Sequence, residues 1–185
     1  MPSRDTDAID PRVLGRAAVR GARSLEPIDV ALGVGPLVLG TVVGILTNTS
    51  GQPWYRRLSK PAWTPPAVVF GPVWTLLYLL MGAAAVLVRR ARPTDGTRAP
   101  GSDLALGLFG GQLVLNLLWS IIFFGRQQVR AGLVEIVVLL AALVATVVAF
   151  ARVRLAAALL LLPYLAWTSF ATILTAAIAR RNPRA

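Results

Sequence analysis

The chain has 185 residues, of which 56% are hydrophobic and 15% are charged, whereas ordinary soluble domains carry about 25% charged residues. It has no cysteine and no histidine, which excludes zinc sites built from those ligands, thiol catalysis, Ser–His triads and the usual His or Cys axial ligation of haem iron. The net charge of +11 could indicate a nucleic-acid surface. Because nearly all the arginines and lysines lie at the ends of apolar runs, we favour contact with lipid headgroups and expect no nucleic-acid partner.

The first 29 residues are polar, have mixed charge and contain no apolar signal segment, which predicts a disordered N-terminal tail. A first membrane helix is predicted at 30–47. It contains Pro36 and a Gly40-x-x-x-Gly44 pair, a spacing that lets a second helix approach closely.

Four further apolar runs are long enough to cross a bilayer, which takes about 20 helical residues. They predict helices at 67–88, 104–124, 131–150 and 155–179. The fold class is therefore all-α: an integral membrane bundle of five helices, occupying residues 30–182, with a structured aromatic loop between its first two helices. A small excess of Arg and Lys on the N-terminal side predicts a cytoplasmic N-terminus, and a helical bundle suits a bacterial cell membrane.

Three of the later helices each carry an aromatic and a polar side chain at helical spacing. Packing and interhelical hydrogen bonds would explain any one pair. Counting residues along the helices, however, places all three tryptophans in the half of the membrane beneath the loop. This favours a pocket for a flat aromatic ligand, under a lid of Trp54, Trp63, Pro65 and Pro66, with Phe70 to Gly82 as one wall. The three pairs are Trp74 with Tyr78, Asn116 with Trp119, and Tyr164 with Trp167.

Glu135 is the only acid within a predicted span, and intramembrane acids are often functional. It lies near the start of its helix, where Arg130 could neutralise it, so we favour a structural role. Gly107 and Gly111 suit close helix contact, either within the bundle or between protomers.

The string from Trp54 to Gly82, WYRRLSKPAWTPPAVVFGPVWTLLYLLMG, resembles the signature of the TspO/MBR family. This family comprises the tryptophan-rich sensory proteins of bacteria and the translocator protein, or peripheral benzodiazepine receptor. The resemblance continues through LNLLWSIIFFG, GLVEI and LLPYLAWTSFATIL and covers residues 30–182.

The resemblance implies a bundle that is commonly dimeric and binds porphyrins or haem as ligand, with no obligatory cofactor. Some bacterial members have been credited with light-dependent breakdown of protoporphyrin, a reaction for which Trp74 and Trp167 would be the catalytic candidates here. Gly107 and Gly111 would form the dimer face, and Arg57 and Lys60 could meet porphyrin propionates. The implied ligand-binding residues are Trp54, Trp63, Pro66, Trp74, Tyr78, Asn116, Trp119, Tyr164, Trp167 and Ala171.

Three functions follow from these observations. We favour a tetrapyrrole-binding sensor or regulator; the alternatives are an enzyme that degrades protoporphyrin IX in light, and a porphyrin or sterol transporter. The sequence lacks a nucleotide-binding loop and a charge relay, which argues against energised transport. Sterol recognition is weakened because the Tyr of the animal sterol motif is missing from the run Leu174 to Arg180.

Overall fold

The computed structural model describes residues 26–47, 53–92 and 97–183, and every regular element in these ranges is a helix. Five of these helices are long and apolar enough to span a membrane, which confirms the predicted fold class. The elements are α1 (Pro27–Thr47), the short α2 (Pro53–Arg57), α3 (Ala67–Arg89), α4 (Ser102–Ser120) with a π-helical turn (Ile121–Gly125), α5 (Val129–Val153) and α6 (Leu155–Arg181).

The first helix begins earlier than predicted, so residues 27–29 belong to the bundle and not to a disordered tail. Glu26 precedes the helix, and its backbone N–H donates to Asp29 Oδ2 at 3.0 Å, as in a capping box. Pro27 occupies the first helical position, which tolerates proline because no N–H is needed there. The remainder of the predicted tail, residues 1–25, lies outside the described residues.

The long helices form a ring in the order α1, α3, α6, α5, α4. The contacts of α4 with α1 and α3 are much sparser than those between the other neighbours. Because successive helices alternate in direction, the loop that contains α2 lies at the same end as the end of α6. Two hydrogen bonds between Ser59 and Asn182, of 3.0 and 2.9 Å, join them. The seam of α4 with α1 and α3 is therefore the loosest part of the bundle, and it lies below this loop.

The helices α1 and α3 pack closely because glycines replace larger side chains at their contact. A Cβ added to Gly82 would lie 1.9 Å from the carbonyl oxygen of Gly33. A Cβ added to Gly40 would lie 2.1 Å from Cε2 of Tyr78. The predicted close approach of another helix at Gly40 is confirmed, and that helix is α3.

An ion-pair cluster fastens the start of α1 to the end of α3, at the end of the bundle opposite the aromatic loop. Asp29 Oδ1 accepts from Arg89 Nη1 at 3.0 Å, and Oδ2 accepts from Arg90 Nη2 at 2.8 Å. Arg89 also pairs with Glu26. The Asp29 side chain is only 1% exposed, so these arginines neutralise a buried charge in addition to flanking the membrane.

Candidate functional site

A cavity of about 250 Å³ lies at the loose seam between α1, α3 and α4, below α2. Its walls combine large aromatic rings with small side chains. The aromatic residues are Tyr55, Phe70, Trp74, Tyr78, Trp119 and Phe124, and the others are Leu37, Gly40, Thr41, Gly44, Ala67, Gly71, Thr75 and Ser120.

The aromatic wall follows from residue spacing along α3. Phe70, Trp74 and Tyr78 recur every four residues and therefore share one face of the helix. The rings of Trp74 and Tyr78 stack with centroids 5.4 Å apart and planes inclined by 30°. On the facing helix α1, Gly40 and Gly44 carry no side chain. The cavity forms because large rings on one helix oppose glycines on the other. Residues of the predicted wall between Phe70 and Gly82 line this cavity.

A hydrogen bond behind this wall holds Tyr78 in place. Its hydroxyl donates to Asn116 Oδ1 at 2.8 Å, and Asn116 is 1% exposed. Tyr164 is fully buried and contacts Trp74 edge to face at 6.2 Å. Asn116 and Tyr164, both predicted to bind ligand, therefore support the cavity wall and do not line it.

Trp119 forms the α4 side of the cavity and stacks on Phe123 with centroids 5.2 Å apart. A π-helical turn follows, from Ile121 to Gly125. Such a turn inserts an extra residue and so rotates the side chains that follow it. Here Phe123 and Phe124 are adjacent in sequence yet both buried, with ring centroids 4.9 Å apart. The sequence pattern did not predict this turn.

Trp167 does not line the cavity that Trp74 and Trp119 line, and its predicted contact with a ligand stays a prediction. It packs against Phe70 at 5.8 Å and Phe170 at 5.5 Å. It lines a smaller cavity of about 20 Å³, which Ala171 also lines and which shares Tyr55, Phe70, Trp119 and Phe124 with the main cavity. Counting residues along a helix gives the depth of a side chain in the membrane but not the direction in which it points. The side chain of Trp167 packs against neighbouring aromatic rings.

The predicted lid is also arranged differently. Trp54 packs edge to face on Phe123 at 5.8 Å, while Trp63 is 49% exposed and contacts Phe170. Pro66 is exposed just before α3. None of the three lines the cavity; the loop contributes Tyr55 instead.

Tyr55 was not among the residues predicted to bind a ligand, although it lies in the aromatic loop directly after Trp54. It packs edge to face on Phe123 and Phe124, at 6.2 and 5.6 Å. Burial raises the pKa of the Tyr55 hydroxyl, so this side chain presents a neutral group to the cavity.

The side chain of Lys60 forms hydrogen bonds within its own loop. Its Nζ donates to the carbonyl oxygens of Tyr55, Arg56 and Leu58 at 2.7, 3.2 and 3.2 Å, and lies 4.9 Å from the centroid of the Tyr55 ring. The last carbonyls of a helix have no intrahelical partners, and a lysine can satisfy them. Lys60 therefore caps α2, whereas Arg57 at the end of α2 is exposed.

Glu135 is not neutralised by Arg130, contrary to expectation. Arg130 Nη2 donates instead to the carbonyl oxygen of Pro183 at 2.6 Å. Glu135 is 9% exposed, and among the described residues neither of its carboxylate oxygens has a hydrogen-bond partner. The arginine side chain reaches outward to the end of α6, so the carboxylate is left in the bundle interior.

Gly107 and Gly111 are exposed on α4, and a Cβ added to either would meet nothing within 4 Å. Among the described residues, neither glycine has a close neighbour on another helix. A second helix could therefore approach them, and their role in a dimer stays a prediction.

Comparison with known proteins finds a family match along nearly the whole bundle. The sequence pattern of the TspO/MBR family matches residues 32–181. The chain is 44% identical over 149 residues to the tryptophan-rich protein TspO of Chlorobaculum tepidum, covering 80% of this chain and 90% of that protein. It is 42% identical over 145 residues to the human translocator protein, covering 78% and 84%. The tryptophan-rich sensory protein of Cereibacter sphaeroides is 37% identical over 129 residues, covering 70% and 79%. With five helices long and apolar enough to span a membrane, the chain is an integral membrane protein that belongs to the TspO/MBR family.

Proposed function

We propose that this protein is a tetrapyrrole-binding membrane sensor or regulator, and that the cavity between α1, α3 and α4 is its binding site. The observation that carries the proposal is the set of rings from Trp74, Tyr78 and Trp119 around one cavity. A porphyrin is a flat aromatic macrocycle that can be held by stacking. The chain has no histidine or cysteine, so shape and stacking would supply the affinity. A relative named for a sensory role supports the regulatory part of the proposal.

The cavity suits a large flat ligand because it is open at one side. Its volume of about 250 Å³ lies just below the ~300–1,000 Å³ typical of small-molecule sites. Thr41 on α1 and Ala67, Gly71 and Thr75 on α3 line the cavity and are also exposed. One edge of a macrocycle would enter among the aromatic rings, while the opposite edge extends between α1 and α3.

The anionic propionates of a porphyrin need a basic partner at the loop end. Of the two residues predicted for this contact, Lys60 is already bound to three carbonyl oxygens. Arg57 is exposed at the end of α2, the element that places Tyr55 at the cavity. We therefore retain Arg57 as the propionate contact in this proposal and assign Lys60 to the capping of α2.

Replacing Trp74 with Ala is expected to weaken protoporphyrin IX binding about tenfold, because an aromatic pair contributes roughly 0.5–1.5 kcal/mol beyond its buried area. The measurement is a titration in the dark that follows the porphyrin absorbance band, so that removal of a tryptophan does not change the signal. Trp63→Ala is the matched control, since Trp63 is half exposed and outside the cavity. Absence of saturable binding to the unmodified protein would rule out the proposal.

The second candidate is light-dependent oxidation of bound protoporphyrin by dioxygen. The observation that favours it is the stacking of Trp74 on Tyr78 at the cavity wall, which puts two oxidisable rings in contact. Of the two predicted catalytic residues, only Trp74 lines the cavity. Illumination of the bound complex in air should therefore yield open-chain products that Trp74→Phe suppresses and Trp167→Phe does not. If protoporphyrin binds but no product forms, the enzyme alternative is excluded and the sensor or regulator remains the proposed function.

The protein is also proposed to be a homodimer that associates through the exposed glycines of α4. Changing both Gly107 and Gly111 to Leu should produce a monomer in mild detergent, because two bulky side chains would separate the facing helices. Light scattering coupled to size exclusion measures the protein mass. Ala145→Leu, at an exposed position of α5, controls for added bulk on the lipid face. A double variant that remains dimeric would place the interface elsewhere.

A further inference from the structure

The end of α6 is tied to the aromatic loop by a side chain that the function proposed above does not use. Asn182 directly follows α6. The Ser59 backbone N–H donates to Asn182 Oδ1 at 3.0 Å, and Asn182 Nδ2 donates to the Ser59 carbonyl oxygen at 2.9 Å. One asparagine amide therefore pairs with both backbone polar groups of a single loop residue, using its acceptor and one of its donors.

The amide of Asn182 is itself held by the last turn of α6. Asn182 Nδ2 also donates to the carbonyl oxygen of Ile178 at 2.8 Å. The backbone N–H of Asn182 donates to the same oxygen at 3.0 Å, and Ile178 is 1% exposed. Because both its backbone and its side chain are bonded to a buried residue of α6, Asn182 presents its amide to the loop in a fixed orientation.

The connection continues from Ser59 to the ligand cavity through Lys60. The Lys60 carbonyl oxygen accepts from Arg181 Nη1 at 3.3 Å, which is a second link to α6. Lys60 Nζ donates to the carbonyl oxygens of Tyr55 and Leu58 at 2.7 and 3.2 Å. Tyr55 lines the cavity. Hydrogen bonds between neighbouring residues therefore connect the end of α6 to the cavity wall.

Apolar contacts attach the same loop to the bundle, but they do not fix its position in the same way. Leu58 is 9% exposed and packs in one core cluster with Trp119 and Phe123. The hydrophobic effect that holds it is non-directional, whereas a hydrogen bond requires a narrow range of distances and angles. Leu58 therefore keeps the loop on the bundle, and the pairing of Asn182 with Ser59 determines where the loop lies.

We propose that Asn182 is a positioning residue of the ligand cavity: by pairing with Ser59 it holds the aromatic loop, and with it Tyr55, at the cavity wall. Without this pairing, Tyr55 would leave the wall more often, and a bound molecule would enter and leave the cavity faster. The identity of that molecule rests on the function proposed above. The position of the loop does not, and it can be measured in the ligand-free protein.

Distances between two spin labels, measured by double electron–electron resonance, test the position of the loop without ligand. The chain has no cysteine, so Arg56→Cys and Arg152→Cys provide a single pair of labelling sites. Both positions are exposed, one on α2 and the other in the last turn of α5 at the opposite end of the bundle. Adding Asn182→Ala should broaden the distance distribution and shift it to longer values, because α2 is no longer held.

Arg180→Ala is the matched control in the same labelled protein. Arg180 is exposed at the same end of α6, and among the described residues it forms no hydrogen bond with the loop. Its replacement should leave the distance distribution unchanged. If Asn182→Ala also leaves the distribution unchanged, Asn182 does not position the loop and the proposal is overturned.

The rates of protoporphyrin IX binding, measured by stopped flow in the dark, test the consequence for the cavity. Asn182→Ala should release the porphyrin about tenfold faster, because the net contribution of one hydrogen bond corresponds to roughly a factor of 2–13 and both bonds to Ser59 are lost. The association rate should rise as well. A general loss of folded protein would instead lower the fraction that binds and leave both rates unchanged, as Arg180→Ala should.

The two measurements fail in different ways. Unchanged porphyrin rates together with a broadened distance distribution would show that the loop does not control the cavity, which overturns the proposal. If the unsubstituted protein binds no protoporphyrin, the function proposed above fails, while the spin-label distances still decide whether Asn182 positions the loop.

Discussion

Replacing Gly82 with Ala is expected to separate α1 from α3 and to reduce the free energy of unfolding by at least about 3 kcal/mol, the upper end of the usual range for overpacking. The new Cβ would lie 1.9 Å from the carbonyl oxygen of Gly33 and 2.7 Å from its carbonyl carbon. Both are backbone atoms, so no change of rotamer can relieve the collision. The first helix would have to move away as a whole, and the cavity wall that contains Gly40 would move with it.

Gly33 provides the matched control for this substitution because it lies on the other side of the same contact. A Cβ added there would lie 3.6 Å from Cγ2 of Val86, an ordinary van der Waals distance. Gly33→Ala should therefore change stability by no more than about 1 kcal/mol, the difference in helix propensity between the two residues. Unfolding by SDS, followed by circular dichroism, would measure both variants. Equal stability of the two would show that α1 does not approach α3 at Gly82.

Replacing Asp29 with Ala should reduce the free energy of unfolding more than removal of an exposed acid does, because it removes the shared partner of two arginines from an ion-pair cluster whose carboxylate is buried. The Asp29 side chain is 1% exposed and accepts from both Arg89 and Arg90. The variant would leave two guanidinium groups without this carboxylate and would also remove the acceptor of the Glu26 backbone N–H. The start of α1 should then detach from the end of α3.

Asp103 is the control of the same residue type. It pairs with Arg98, but its side chain is 79% exposed, and exposed ion pairs contribute only about 0–1 kcal/mol. The same SDS titration compares Asp29→Ala with Asp103→Ala. Hydrogen exchange at the backbone of α1 shows whether the loss of stability is local. We expect that it is, with protection against exchange falling first near Pro27. A loss of the same size in both variants would contradict a special role for the buried cluster.

These two contacts hold α1 against α3 at different heights of the bundle, and the cavity lies between α1, α3 and α4. The Asp29 cluster fastens the end opposite the aromatic loop, and the Gly33–Gly82 contact is nearer the middle of both helices. The other side of the cavity, toward α4, is only loosely packed. The width of the site therefore depends on how α1 is held by α3.

Much of this protein was predictable from local sequence. The five helices follow from apolar runs long enough to cross a bilayer, because burial of the backbone in lipid forces it to be helical. The wall formed by Trp74 and Tyr78 follows from their four-residue spacing, and the close approach of a helix to Gly40 follows from the absence of a side chain. Even the early start of α1 is encoded locally, in the Glu26-Pro27 start and the carboxylate of Asp29.

Only the tertiary structure decided what the individual side chains contact. Trp167 has the expected depth, yet it packs against Phe70 and lies outside the main cavity. Lys60 caps α2, and Arg130 reaches Pro183 instead of Glu135. The same physical reason applies to Trp167, Lys60 and Arg130. The depth of a residue and its position around a helix can be counted along the chain. The direction of a long side chain is set by rings and unpaired carbonyls that other segments bring beside it.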